Sequence, residues 1–275
     1  MYGDTQTNSD PARFARRIRA HALRMVSAAK ASHIGSCLSM ADILSVLFTR
    51  ILLLDPESPR DLDRDRFVLS KGHAAAILYA ALAEVGFFPV AMLDEFCKDG
   101  SALTGHVSHG VPGVEVSTGS LGHGLSISAG MALAAKADRR PTRVFCLLSD
   151  GECDEGSIWE AALFAPHHKL DNLVAIIDYN KIQSFGRVSD VLDLSPFADK
   201  WRAFGWHTLE IDGHDLAAIE RVLTAVPESA GRPTALVAHT IKGQGVSFME
   251  DRLEWHYKSP SPEQLADALA EVGES

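Results

Sequence analysis

Residues 144–180, VFCLLSDGECDEGSIWEAALFAPHHKLDNLVAIIDYN, decide the fold. The stretch opens with VFCLLS, a short continuous apolar run of the kind that forms a strand buried on both faces. Asp150-Gly151 closes that run, a helical segment SIWEAALFAPHH follows, and LVAIIDY repeats the buried strand before ending at Asn180. Two such strands joined through a helix read as one parallel strand-helix-strand unit.

The alternation continues downstream. A helix surrounds Trp201, HTLEIDG reads as a strand, DLAAIERVLTAV as a helix, and TALVAHT as a strand ending at Ile241-Lys242-Gly243. Upstream, RFVLS is a strand followed by a turn at Lys71-Gly72-His73 and a helix through ILYAALAEVG, with the charged loop DPESPRDLDRDR before it. Residues 11–54 read as helical, since Leu44, Leu47, Phe48 and Ile51 keep i, i+3, i+4, i+7 spacing. The expected fold is therefore α/β, a mainly parallel sheet flanked by helices on both faces. One domain over residues 1–275 is expected, with a polar, poorly ordered start at 1–10.

Composition narrows the function. The 275 residues are 46% hydrophobic and 23% charged, ordinary for a soluble protein. No apolar run reaches the roughly 18–20 residues of a membrane span, and the start lacks the layout of a signal peptide. The formal charge of −10 argues against non-specific nucleic-acid binding. Four cysteines without a CxxC pair suit a reducing, cytoplasmic setting. Several of the twelve histidines stand beside glycine, outside any apolar helical face.

In open α/β sheets ligands gather beyond the carboxyl ends of the strands, and Asp150 and Asn180 each stand at such an end. If the two strands are neighbours, a carboxylate and a carboxamide oxygen converge with a nearby backbone carbonyl. That hard oxygen set suits magnesium, which keeps positions for water and phosphate; zinc would prefer Cys and His. Taken singly, Asp150-Gly151 reads equally as a turn and Asn180 as a cap; the pair at this spacing points to a metal. The glycine-rich TGSLGHG, running into a helix, offers backbone amides to an anion, or simply close helix packing. It matches neither a dinucleotide fingerprint nor a P-loop.

These motifs resemble the transketolase family. SDGE at 149–152 with DYNKI at 178–182 is similar to its thiamine-diphosphate motif, with Ser149 in place of the usual first glycine. SHIGSCLSMADIL from Ser32, LSKGHAAAILYA from Leu69, GHVSHGVPGVEVSTGSLGHG from Gly105, HTIKGQGVSF from His239 and WHYKSP from Trp255 match in order. The likeness covers residues 32–260 and is strongest to the N-terminal chain of split bacterial transketolases. It implies thiamine diphosphate and Mg2+ as cofactors, with Asp150, Asn180 and the Ile182 carbonyl as metal ligands. It places His73, Gly119, Leu121, Gly151, Glu152, Glu155 and Asn180 at the cofactor. Glu155 would sit near a glutamate of the partner, and His33, His106 and His256 would line the substrate channel and carry protons. It also implies a C-terminal subunit supplying the pyrimidine-binding and C-terminal domains, two copies of each chain, and sugar phosphate substrates. His167, His168 and His214 read as surface or capping residues. Another thiamine-diphosphate enzyme, a non-catalytic regulatory half and a nucleotide-dependent dehydrogenase remain as competing readings.

Overall fold

A computed structural model describes residues 10–274; of the start expected to be poorly ordered, 1–9 lie outside the described residues. Five strands, β1 (Arg66–Leu69), β2 (Val144–Ser149), β3 (Leu173–Tyr179), β4 (His207–Asp212) and β5 (Thr234–His239), form one parallel sheet in the order β1-β2-β3-β5-β4. Alternate residues of each central strand feed opposite cores, as period-two geometry requires. Phe145, Leu147, Val174, Ile176 and Leu236 enter one core, while Val144, Cys146, Leu148, Ala175, Ile177 and Val237 enter the other.

The first core is covered by α1 (Pro11–Ala29), α2 (Ile34–Ser39), α3 (Ala41–Val46), α4 (Ala75–Glu84), α9 (Leu216–Thr224) and α10 (Pro262–Glu271). The second is covered by α5 (His123–Ala137), α6 (Gly156–His167), α7 (Val188–Val191) and α8 (Phe197–Ala203). Helices on both faces of a parallel sheet is the expected architecture. No helix among the described residues is long and apolar enough to cross a membrane.

The N-terminal segment departs from the single helical reading. Asp10 caps α1 through its carboxylate, but the chain leaves the helix at Lys30 (φ +51) and turns again at His33 (φ +74). Left-handed backbone cannot propagate a right-handed helix, so α2 starts in a new direction. After α3 the apolar stripe continues through a π-helical turn, Leu47–Ile51, where Leu52 N–H reaches the Leu47 carbonyl. Such turns open the i to i−4 ladder by one residue.

Candidate active site

The carboxyl ends of β2, β3 and β5 open into a cleft of about 420 Å³. It gathers residues from six sequence blocks: His33, His73, His106, Gly119, Leu121, Asp150, Gly151, Glu155, Asn180, Ile182 and His256 all line it. Glu152 does not. Its buried carboxylate accepts from Ser70 Oγ, from Gly122 N–H at 2.8 Å and from Ser149 N–H at 3.3 Å, so it fastens the glycine loop behind the cleft. The expected anion-seeking amides at the start of α5 are used in the same way. Gly122 N–H is held by Glu152 and Gly124 N–H by Ser70 Oγ at 3.1 Å, which leaves Gly119 and Leu121 as the part of the loop facing the cleft.

Strand pairing brings the proposed metal pair together. Ser149 faces Asp178 across β2 and β3, so Asp150 and Asn180 leave adjacent strand ends. The Asp150 carboxylate accepts from Gly151 N–H at 2.7 Å and from Lys181 N–H. Burial, with the Asp178 charge beside it, makes the carboxyl a weaker acid and pushes its pKa up to about 6. Among the described residues no cationic side chain forms an ion pair with it. Asp178 differs: Lys71, Ser39 and Thr240 all donate to it. The Lys71 ammonium offsets burial and holds that carboxyl below the usual range. Two N–H donors and the more distant Lys242 charge offset only part of the cost of burying this carboxylate, and a divalent cation at Asp150 would offset the rest. Among the described residues no three His, Cys, Asp or Glu side chains converge as a metal cage. The donors instead are Asp150, the Asn180 amide oxygen and backbone carbonyls, an incomplete oxygen set that fits magnesium completed by diphosphate and water. The Ile182 carbonyl accepts from Lys242 Nζ at 2.8 Å; its second lone pair stays available to a cation.

Four imidazoles also line the cleft. Ring centroids of His33 and His73 lie 4.9 Å apart, His33 and His256 5.1 Å, and His33 and His106 6.0 Å. The backbone helps to set them, since His33 N–H donates to the His256 carbonyl at 2.9 Å. Burial, with His106 and Lys242 nearby, pulls His33 down to about 4. Burial and then Lys242 pull His256 to about 3, and burial holds His73 well below the usual histidine range. The sequence alone suggested imidazoles poised near neutrality; burial among cations makes these three neutral at pH 7. Each then presents one N–H donor and one bare nitrogen.

Two lysines were not anticipated as site residues. Lys71 Nζ donates to Ser36 O and Oγ, both at 3.0 Å, and to Asp178. Lys242 lines the cleft, with Nζ 2.9 Å from His256 Nδ1, and burial lowers it to about 8. Both stand in quoted blocks, LSKGH and HTIKG, where a lysine at a strand end signals only a turn; burial of the ammonium is a tertiary fact. Ser36 and Gln183 also line the cleft unforeseen. Of the remaining histidines, His167 and His168 are exposed as expected, whereas His214 is partly buried and bonded to Asp42.

Residues 11–271 match the family model described as the transketolase thiamine diphosphate binding domain. The chain is 44% identical to one of the named subunits of apulose-4-phosphate transketolase, from Phocaeicola vulgatus, over 93% of this chain and 91% of that one. It is 41% identical to 6-deoxy-6-sulfo-D-fructose transketolase subunit SqwG of Clostridium sp. over 93% of each. Human transketolase is 42% identical over 93% of this chain but only 40% of its own length. Among solved structures, transketolase from Leishmania mexicana superposes with a TM-score of 0.91 at 31% identity, over 97% of this chain and 42% of that one. Transketolase from Campylobacter jejuni gives 0.90 at 31% identity, over 97% and 43%. The chain thus spans nearly all of the two subunit relatives and about two-fifths of the human and Leishmania transketolases.

Proposed function

The chain belongs to the transketolase family, in its thiamine diphosphate binding domain, and from that premise we propose that it is the N-terminal subunit of a two-chain transketolase. It would transfer a two-carbon ketol unit from a ketose phosphate to an aldose phosphate, using thiamine diphosphate and magnesium. One observation carries the reading: the Asp150–Asn180 pair and four histidines from distant blocks share one cleft. Asp150, Asn180 and the Ile182 carbonyl would hold the metal, while His73 and Lys242 would face the diphosphate. When bound, the cofactor supplies the electron sink for breaking the bond beside a ketose carbonyl. His33, His106 and His256 bind sugar hydroxyls; the neutral ring of His33 offers a bare nitrogen that takes a proton from a donor hydroxyl and returns it to the acceptor, while His256, whose Nδ1 accepts from Lys242, offers its Nε2 N–H to the sugar.

The names of the two subunit relatives support a separate second chain. We place that chain against the cleft beside Glu155, in an assembly of two copies of each. Because those relatives are named for modified ketoses, the donor screen should include such sugars besides simple ketose phosphates. One shared sheet between the two cores supports a single domain, and four free cysteines fit a reducing cytoplasm. The test is co-expression with the candidate second chain, followed by size measurement and a ketol-transfer assay with both cofactors. Activity confined to a complex of equal stoichiometry is expected. Full turnover by this chain alone would sink the division of labour.

A further inference from the structure

Behind the cleft, three polar side chains from different elements form a line that starts buried and ends, partly exposed, on the backbone of the loop carrying Lys242. Arg19 of α1 grips Asp42 of α3 with two contacts, 2.9 and 2.6 Å. Asp42 Oδ2 also meets His214 Nδ1 at 2.8 Å, in the turn before α9. The other ring nitrogen, Nε2, accepts from Ile241 N–H at 2.9 Å. A backbone amide can only donate, so Nε2 is bare and the ring proton sits on Nδ1, directed at Asp42. One tautomer satisfies both neighbours.

The residues after Ile241 give the line its consequence. The Lys242 ammonium enters the cleft between the Ile182 carbonyl and His256 Nδ1. Gly243, with φ +84, donates its N–H to the Gly35 carbonyl at 3.0 Å, two residues from His33. Thr240, just before, donates to Asp178. Ile241's own side chain is exposed, so packing does little to hold this residue and its amide bond does much. We propose that His214 is a positioning residue, fixing the 241–243 turn through the Ile241 amide so that Lys242 is correctly placed for the cofactor's diphosphate. The inference rests on the proposed function for its ligand, but not for its geometry.

Two variants of the full chain separate the two contacts of the ring. The side-chain amide of His214→Asn reaches the Nδ1 position and keeps Asp42, but leaves Ile241 without an acceptor. His214→Gln reaches the Nε2 position and restores that acceptor. Hydrogen exchange of residues 240–246 should accelerate about tenfold in His214→Asn, the scale of one lost hydrogen bond, and return near the native rate in His214→Gln. Thiamine diphosphate binding in the presence of magnesium should weaken by about the same factor in the Asn variant and be rescued by Gln. In the assembled enzyme the loss should fall on apparent cofactor affinity more than on kcat. Equal behaviour of the two variants, or native exchange and affinity in His214→Asn, would overturn the proposal. Should the native chain fail to bind the cofactor, the proposed function falls, while the exchange comparison still decides the role of His214.

Discussion

Asp150 and Asp178 stand beside each other at the ends of neighbouring strands, yet only Asp178 is in an ion pair. Lys71 pairs with Asp178, and Asp150 holds two backbone N–H groups instead. That asymmetry is why we propose Asp150, and not Asp178, as the metal ligand. Asp150→Ala should therefore abolish magnesium-dependent retention of thiamine diphosphate while leaving near-ultraviolet circular dichroism native; normal retention on equilibrium dialysis would refute the assignment. We place His33 on the reacting side of the cleft; its ring lies 5.1 Å from that of His256 and is neutral at pH 7. His33→Ala should keep the cofactor and lose turnover by about 10²–10⁴-fold, the usual worth of a positioned acid-base group. Equal loss of cofactor binding in that variant would move His33 to the diphosphate. Residues of this kind were legible in the sequence because each sits in its own short block beside a glycine or a strand end. Lys71 and Lys242 were not, since their importance comes from burial beside carboxylates that other strands supply.

At the scale of elements, close approach and charge pairing decide what the sequence can show. A Cβ at Gly72 would lie 2.3 Å from the Thr118 carbonyl oxygen, because the turn before α4 runs directly under the 107–118 loop. Val107 N–H donates to the Gly72 carbonyl, and Thr118 Oγ1 to the Leu69 carbonyl at 2.6 Å, so neither side can retreat freely. Gly72→Ala should displace His73, cost about 1–3 kcal/mol in urea denaturation and weaken cofactor binding; a native urea midpoint and affinity would show that the loop yields. The α1–α3 contact has an acid limit. Burial raises Asp42, but the His214 and Arg19 contacts outweigh it and hold the carboxyl below its ordinary value of 3.8. A depressed acid stabilises the fold above its unfolded pKa, and the contribution disappears as pH falls through the folded one. Asp42→Asn should cost about 3 kcal/mol at pH 7, and its urea midpoint should fall less than that of the native chain between pH 6 and pH 3. Parallel falls would exclude Asp42 as a source of acid sensitivity. The strands VFCLLS and LVAIIDY were readable to the residue, because burial on both faces leaves an unbroken apolar run. The breaks at Lys30 and His33 were not, since neither residue type signals left-handed backbone, and the strand order was not, being fixed by contacts between distant segments; α10 was legible in its Ser261–Gln264 capping box and Pro262, a local signal that the strand pattern overshadowed.

For the whole molecule, the sheet divides the protein into a thickly covered face and a thinner one, and the thinner one borders the cleft where we propose that the second subunit docks. α5 starts from the glycine loop that borders the cleft, and α6 follows Glu155, which lines it. Between the two helices lies a shallow groove with Ala129, Gly130 and Phe164 at its walls, and Leu163 beside it is 64% exposed. Large apolar side chains next to small ones on a helix pair, continuous with the cleft, are what an obligate interface of 2,000 Å² or more would use. The second subunit is therefore expected to cover α5 and α6 as it closes the cleft. Leu163→Glu tests this without touching the cleft, because the side chain points outward and the fold gains only a surface charge. The variant should unfold at the native urea concentration and bind magnesium and thiamine diphosphate normally. Its affinity for the second subunit should fall by at least about 30-fold, the loss typical of a central interface residue. Titration by light scattering or calorimetry reads that affinity directly. Unchanged assembly would place the partner elsewhere on the cleft's rim, with the exposed Phe185 and Tyr257 as the next surface to probe.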